Sequence, residues 1–180
     1  MVELRGSTAE EYGKTWQRYL SLDSDYDEAD RVIIESMPNE RDRTEMSAAV
    51  DSGRGIRILR QDPFETLISF IISQNNNIPR IKKIISALCE RYGENGAFPT
   101  ADALVEAGEE GIFALKTGFR AGYIYDAAVK VKTGEVVLDD IAKCEDYEKC
   151  TDMLCSIKGV GPKVSSCVLL FGFGKTEAFP

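Results

Sequence analysis

One stretch near the end of the sequence restricts the possible folds more than any other: Cys155-Ser156-Ile157-Lys158-Gly159-Val160-Gly161-Pro162-Lys163-Val164-Ser165-Ser166-Cys167. It reads as a turn between two helices, a hairpin spanning 146–171. The preceding helix, from about Asp146 to Cys155, sets Tyr147, Cys150, Thr151 and Leu154 on one face at spacings of three and four. Gly159 and Gly161 lack a Cβ, so both are open to positive φ and to close approach of a large group, and Pro162 suits the first turn of a new helix. That helix carries Val164, Cys167, Val168 and Phe171 as its apolar stripe. Lys163 falls in its first turn.

Free N–H groups at a helix start after a glycine turn make a phosphate site that reads no sequence, which suits a nucleic-acid backbone. The same helix dipole disfavours a cation there and pushes a lysine toward its neutral, nucleophilic form, which can form a Schiff base with an electrophilic carbon. Taken alone, the stretch is equally an ordinary tight turn beside a solvated lysine. The hairpin resembles the helix-hairpin-helix motif of the DNA glycosylase superfamily, and Gly159-Val160-Gly161-Pro162-Lys163-Val164 is similar to its lysine-bearing, bifunctional branch.

Composition narrows the class. A chain of 180 residues, 43% hydrophobic, can bury one sizeable core or two small ones. No apolar run reaches membrane-spanning length, and Met1-Val2-Glu3-Leu4-Arg5 lacks the apolar core of a signal peptide, so the expectation is a cytoplasmic protein, nucleoid-associated if bacterial. Five scattered cysteines fit a reducing compartment. Cys144, Cys150 and Cys155 form no metal-knuckle spacing and the chain has no histidine, so no metal and no cofactor are expected.

The net charge of −8 argues against a polyanion ligand until it is divided along the chain. Residues 1–52 and 92–155 each hold six basic and thirteen acidic residues, whereas 53–91 holds seven and three, and 156–180 three and one. The positive segments carry the motifs, and local field rather than total charge holds a polyanion.

Thr8-Ala9-Glu10-Glu11 reads as a capping box opening a helix with Tyr12, Trp16, Tyr19 and Leu20. Leu22 to Tyr26 breaks it; further helices run from about Tyr26 to Ser36 and from Arg41 to Val50. Asp62 caps a helix begun by Pro63, with Glu65 completing a second capping box and Phe64, Leu67, Ile68, Ile71 and Ile72 as its apolar stripe. Ser73-Gln74-Asn75-Asn76-Asn77 then interrupts with amides, followed by Pro79, Arg80, Lys82 and Lys83 at the next helix start, whose buried face is Ile81, Ile84, Ile85 and Leu88. Amides and an arginine at such a junction suit base edges, or else simply cap two helices. Residues 94–117 read as acidic helical packing without a site. Gly118-Phe119-Arg120 places an aromatic and an arginine at a further helix start, and that helix stops at Thr133-Gly134.

The run Arg60-Gln61-Asp62-Pro63, then Ser73 to Asn77, then Ile78-Pro79-Arg80, closely resembles the corresponding run of 8-oxoguanine DNA glycosylases, as does Tyr19 to Tyr26. The resemblance implies an all-α helix-hairpin-helix glycosylase fold over 8–180, with 1–7 a possible remnant of an N-terminal β-rich domain. It implies a glycosylase and abasic-site lyase acting on damaged double-stranded DNA, with no obligatory protein partner, and Lys163 as the Schiff-base nucleophile. DNA contacts are implied for Asn75, Arg80, Phe119, Arg120, Gly159, Gly161 and Val164, with Asn75 and Arg80 on the cytosine left behind, and Cys167 against the flipped base. Two departures stand out: the family usually has proline where this chain has Lys158, and its catalytic aspartate would follow Pro180. The chain is therefore expected to be a fragment, incomplete at both ends. Alternatives are a non-catalytic DNA-binding module or a glycosylase for a different lesion.

Overall fold

The computed structural model describes residues 5–178 and Pro180, and every regular element among them is helical, with no strand. Of the β-domain remnant expected over 1–7, residues 1–4 lie outside the described residues. The chain divides into two compact units, one ending at Arg60 and one running from Gln61 to Pro180.

In the first unit, the predicted capping box forms in full: the Thr8 hydroxyl accepts the Glu11 N–H at 3.1 Å and the Glu11 carboxylate accepts the Thr8 N–H at 2.8 Å. Helix α1 (9–19) continues as a π-turn over Tyr12–Trp16 rather than as the regular helix expected. Helices α2 (Tyr26–Glu35) and α3 (Glu40–Gly53) follow, capped by the side chains of Asp25 and Asn39. Two arginines tie the extended segment before residue 60 to the turn after α1. Arg57 donates to the Ser21 carbonyl at 3.0 Å and lies over the Tyr26 ring, while Arg60 reaches Asp23 and Ser24.

The second unit holds the core. Helix α4 (Pro63–Ser73) starts where expected, the Asp62 carboxylate accepting the Glu65 N–H at 2.9 Å, but among the described residues Glu65 does not return the bond that would complete the expected capping box; the helix buries Leu67, Ile68, Ile71 and Ile72 completely. Each such side chain contributes about 1.5–3 kcal/mol by leaving water. Helix α5 (Ile78–Tyr92) adds Ile84 and Leu88, α6 (Ala101–Ile112) adds Leu104 and Ile112, and α7 (Arg120–Thr133) adds Ile124, Ala127 and Ala128. A short helix α8 (Leu138–Lys143), unmarked by any periodic pattern, leads to the hairpin pair α9 (Tyr147–Cys155) and α10 (Pro162–Phe173).

Helix α10 departs from the one-stripe expectation. Ser165 through Leu170 are all buried, while Val164 and Phe171 are only partly so. A helix apolar on nearly every side is a central one. It crosses α4 closely: a Cβ on Gly172 would sit 3.2 Å from the Pro63 Cα, the Phe70 and Phe171 rings stack with centroids 5.8 Å apart, and the Gln61 N–H bonds the Phe171 carbonyl. That crossing brings the end of α4 beside the start of α10.

Candidate nucleic-acid interface

The amide turn divides its labour. The Asn76 amide donates to the Ile72 carbonyl at 2.9 Å, and Asn77 caps α5 by accepting the Arg80 N–H at 3.0 Å. Both close off helix ends left open by Pro79 and the stop after Ser73. Asn75 makes no such cap among the described residues: it is exposed and takes the left-handed conformation, φ 46°, which asparagine tolerates best after glycine.

Arg120 holds this turn from inside. The residue is 2% exposed, and its guanidinium donates from Nε to the Gln74 carbonyl at 2.9 Å, from Nη2 to the carbonyls of Gln74 and Asn75, and from Nη1 to the Thr117 carbonyl at 3.2 Å. Arg120, for which the resemblance implies a DNA contact, directs these donors in this structure to backbone carbonyls of the turn. The reason is the left-handed Asn75, whose turn leaves carbonyls without helical partners, and a five-donor fork is the group that satisfies several at once. Residues 94–117, expected to offer no site, take part here. Lys116 at φ 63° ends a π-turn over Phe113–Thr117, and its carbonyl accepts from Arg80 at 3.0 Å. Arg80 is exposed and lies near enough to Arg120 that, after burial, its charge is the second cause lowering the Arg120 guanidinium's proton affinity.

Phe119 is 57% exposed, with its ring 4.4 Å from the Arg120 guanidinium and edge-on to Tyr123 at 5.8 Å. An exposed aromatic held over a cation by a second ring is a stacking surface fixed in place.

In the hairpin, Ile157 and Val160 are buried and flank an exposed Lys158 and a turning Gly159. Gly159 has φ 80°, as expected, and its missing side chain makes room for the Tyr123 ring. Gly161 is different from its expectation: it is extended, φ −106° and ψ −180°, a conformation open to any residue. Among the described residues nothing but its own chain neighbours lies within 4 Å of where its Cβ would stand, so the space it keeps free faces outward. Among the described residues no side chain caps α10, and with Pro162 at its first turn the N–H groups of Lys163 and Val164 are left for an outside acceptor.

These parts converge. Asn75, Gly161, Lys163, Val164 and Cys167 line one cleft of about 530 Å³ together with Phe70, Ser73 and Gln74. Lys163 is exposed at its rim, and burial pushes the Cys167 thiol up while the Lys163 ammonium opposes that shift. Sequence reasoning placed the polar members but missed Phe70; its signal was an aromatic lying off the apolar stripe of α4.

Residues 68–180 match the model of the HhH-GPD superfamily of base excision DNA repair proteins, and residues 3–67 match the N-terminal domain of 8-oxoguanine DNA glycosylase. The chain belongs to the HhH-GPD superfamily. Among curated superfamily relatives, an N-glycosylase/DNA lyase of Saccharomyces cerevisiae is 41% identical over 140 residues, which are 67% of this chain and 37% of that protein. A probable N-glycosylase/DNA lyase of Methanothermobacter thermautotrophicus is 33% identical over 165 residues, 75% of this chain and 52% of that protein. The apo crystal structure of Clostridium acetobutylicum 8-oxoguanine glycosylase/lyase superposes with a TM-score of 0.85 at 40% identity, covering 97% of this chain and 61% of that one. This HhH-GPD chain thus spans less than two thirds of each of these relatives, and the all-α hairpin fold read from the sequence is the superfamily's.

Proposed function

We propose that this chain is the lesion-handling part of a base-excision repair enzyme that removes 8-oxoguanine from double-stranded DNA and cleaves the resulting abasic site. The observation that carries it is the single cleft in which Lys163, Cys167 and Asn75 meet although 88 residues separate Asn75 from Lys163 in the sequence. The reading draws support from the Clostridium acetobutylicum 8-oxoguanine glycosylase/lyase, whose complex with double-stranded DNA containing cytosine opposite 8-oxoguanine superposes with a TM-score of 0.82 at 39% identity and 60% coverage of that chain.

In this mechanism the hairpin N–H groups of Gly161, Lys163 and Val164 grip a phosphate, and Phe119 fills the stack beside the flipped nucleotide. The Lys163 amine forms a bond to C1′ as the glycosidic bond breaks, the base leaving with the electron pair and taking a proton. The amine then loses its proton and the sugar ring opens, giving an imine whose positive charge permits β-elimination of the 3′ phosphate. Asn75 and Arg80 read the base left behind, and Cys167 lies against the flipped one. Arg120 takes part through the turn it holds. No helix among the described residues is long and apolar enough to cross a membrane, and all five thiols are free; we place the protein with DNA in a reducing compartment.

The test is reductive trapping with duplexes carrying either 8-oxoguanine opposite cytosine or a preformed abasic site. A covalent adduct lost in Lys163→Gln supports the reading. An undiminished adduct in that variant removes Lys163 from the mechanism, and binding without any adduct favours a non-catalytic DNA-binding module.

A further inference from the structure

One pair of residues on α7 holds the hairpin from beneath. Asp126 Oδ2 accepts the backbone N–H of Lys158 at 2.8 Å, and Lys130 Nζ donates to the carbonyl of Ser156, the last residue of the α9 cap, at 2.6 Å. The two side chains are ion-paired at 3.3 Å, one turn apart on the same helix, and Lys130 also reaches Glu135 at 3.5 Å. The signs fit the backbone: a cation meets the negative end of α9, and an anion meets a turn N–H that no helix bond would satisfy. Where the resembling hairpins usually have proline, Lys158 brings an extra N–H, and the turn is not loosened because Asp126 takes it.

The arrangement poses an electrostatic problem. A carboxylate directly under a turn that grips phosphate would repel its own ligand. Lys130 reduces the problem because its ammonium sits on the same carboxylate oxygen, the two side chains being 18% and 28% exposed, while its second partner Glu135, 59% exposed, is screened by solvent. A structural brace alone needs only the hydrogen bonds; a brace beneath a polyanion site also needs neutrality.

We propose that Asp126 and Lys130 are positioning residues for DNA engagement. Asp126 fixes the Lys158–Gly161 turn against α7, while Lys130 anchors the end of α9 and offsets the carboxylate's field, so the hairpin meets phosphate already shaped and with less repulsion. Its functional half rests on the reading of the hairpin as a DNA grip. The same helix begins at Arg120, which holds the amide turn, and therefore sets the spacing between the two DNA-facing turns.

The experiment uses the 180-residue chain and a duplex bearing a tetrahydrofuran abasic-site analogue. Binding is read by anisotropy, and exchange of the Lys158 amide by NMR. Lys130→Met exposes the carboxylate and should weaken binding roughly fivefold, the scale of a partly exposed ion pair; adding Asp126→Asn should restore most of that loss. Asp126→Ala should speed exchange of the Lys158 amide about tenfold, the value of one lost hydrogen bond, whereas Asp126→Asn keeps an acceptor and should not. A double variant as weak as Lys130→Met, or equal exchange in the Ala and Asn variants, overturns the proposal. Failure of the unaltered chain to bind any duplex overturns the DNA grip and the charge-cancelling role together, while the exchange comparison still decides the positioning role.

Discussion

The Tyr123 ring occupies the space that a side chain on Gly159 would need, its nearest carbon standing 2.2 Å from the would-be Cβ. With φ at 80°, Gly159→Ala meets both backbone strain and a clash, and should lower stability by about 1–3 kcal/mol in urea unfolding. Gly161→Ala has neither problem. Its stability should change by at most about 1 kcal/mol, the cost of a poorer helix cap, yet its affinity for duplex DNA should fall because the new methyl group stands in the outward space.

Arg120 and Arg80 should separate cleanly. Replacing Arg120 by methionine leaves the carbonyls of Gln74, Asn75 and Thr117 without their donor, which should lower stability by about 3 kcal/mol, at about 1 kcal/mol for each of three groups of which two are only partly buried. Arg120→Lys should not rescue it, since a single ammonium cannot reproduce the fork. Arg80→Ala should leave the melting curve nearly unchanged and instead reduce the preference for cytosine opposite the lesion, by about 1–3 kcal/mol if a bidentate base contact is lost. Equal losses opposite all four bases would show that Arg80 touches only backbone.

The Cys167 thiol gives a pH signature. Its folded-state titration lies above the ordinary 9.0, because burial outweighs the Lys163 ammonium. Its contribution to stability is whole below that value and is lost as pH rises through the raised one. Alkylation of Cys167, followed by mass spectrometry, should lag that of a free thiol through the alkaline range. Lys163→Met removes the opposing cation and should push the profile further up; a downward shift would mean the two side chains do not face the same cleft.

Phe119 is exposed, so Phe119→Ala should spare the fold. Base–aromatic stacking is worth about 1–3 kcal/mol, and its loss should appear as weaker binding to abasic duplex and as altered fluorescence of 2-aminopurine placed beside the abasic site. Unchanged signals would return Phe119 to a role in covering Arg120 alone.

Helix starts were the most legible part of the sequence, because caps act locally: Thr8, Asp62 and Pro162 open helices where their chemistry says they must. The apolar stripe of α4 was equally plain. The misread features depend on what lies across the fold. Ser165 and Ser166 look like a polar face until neighbours on both sides bury them. Arg120 looks free until Asn75 turns left-handed 45 residues away and directs carbonyls at it. Likewise α8 has too few residues for a period to show, and the partnership of Asp126 with Lys158 spans 32 residues, which no local spacing rule reaches.

The spacing of Arg120, Tyr123, Asp126 and Lys130 along α7 has an evolutionary corollary. A residue inserted between the first and last of them would rotate everything downstream by about 100° around the helix axis, swinging Asp126 and Lys130 away from the hairpin while Arg120 stayed on the amide turn. Related sequences should therefore differ freely in the length of the segments leading into Gly118 and out of Gly134, and hardly at all in the count of residues between these landmarks. The helix serves as a ruler whose divisions selection can relabel but not re-space.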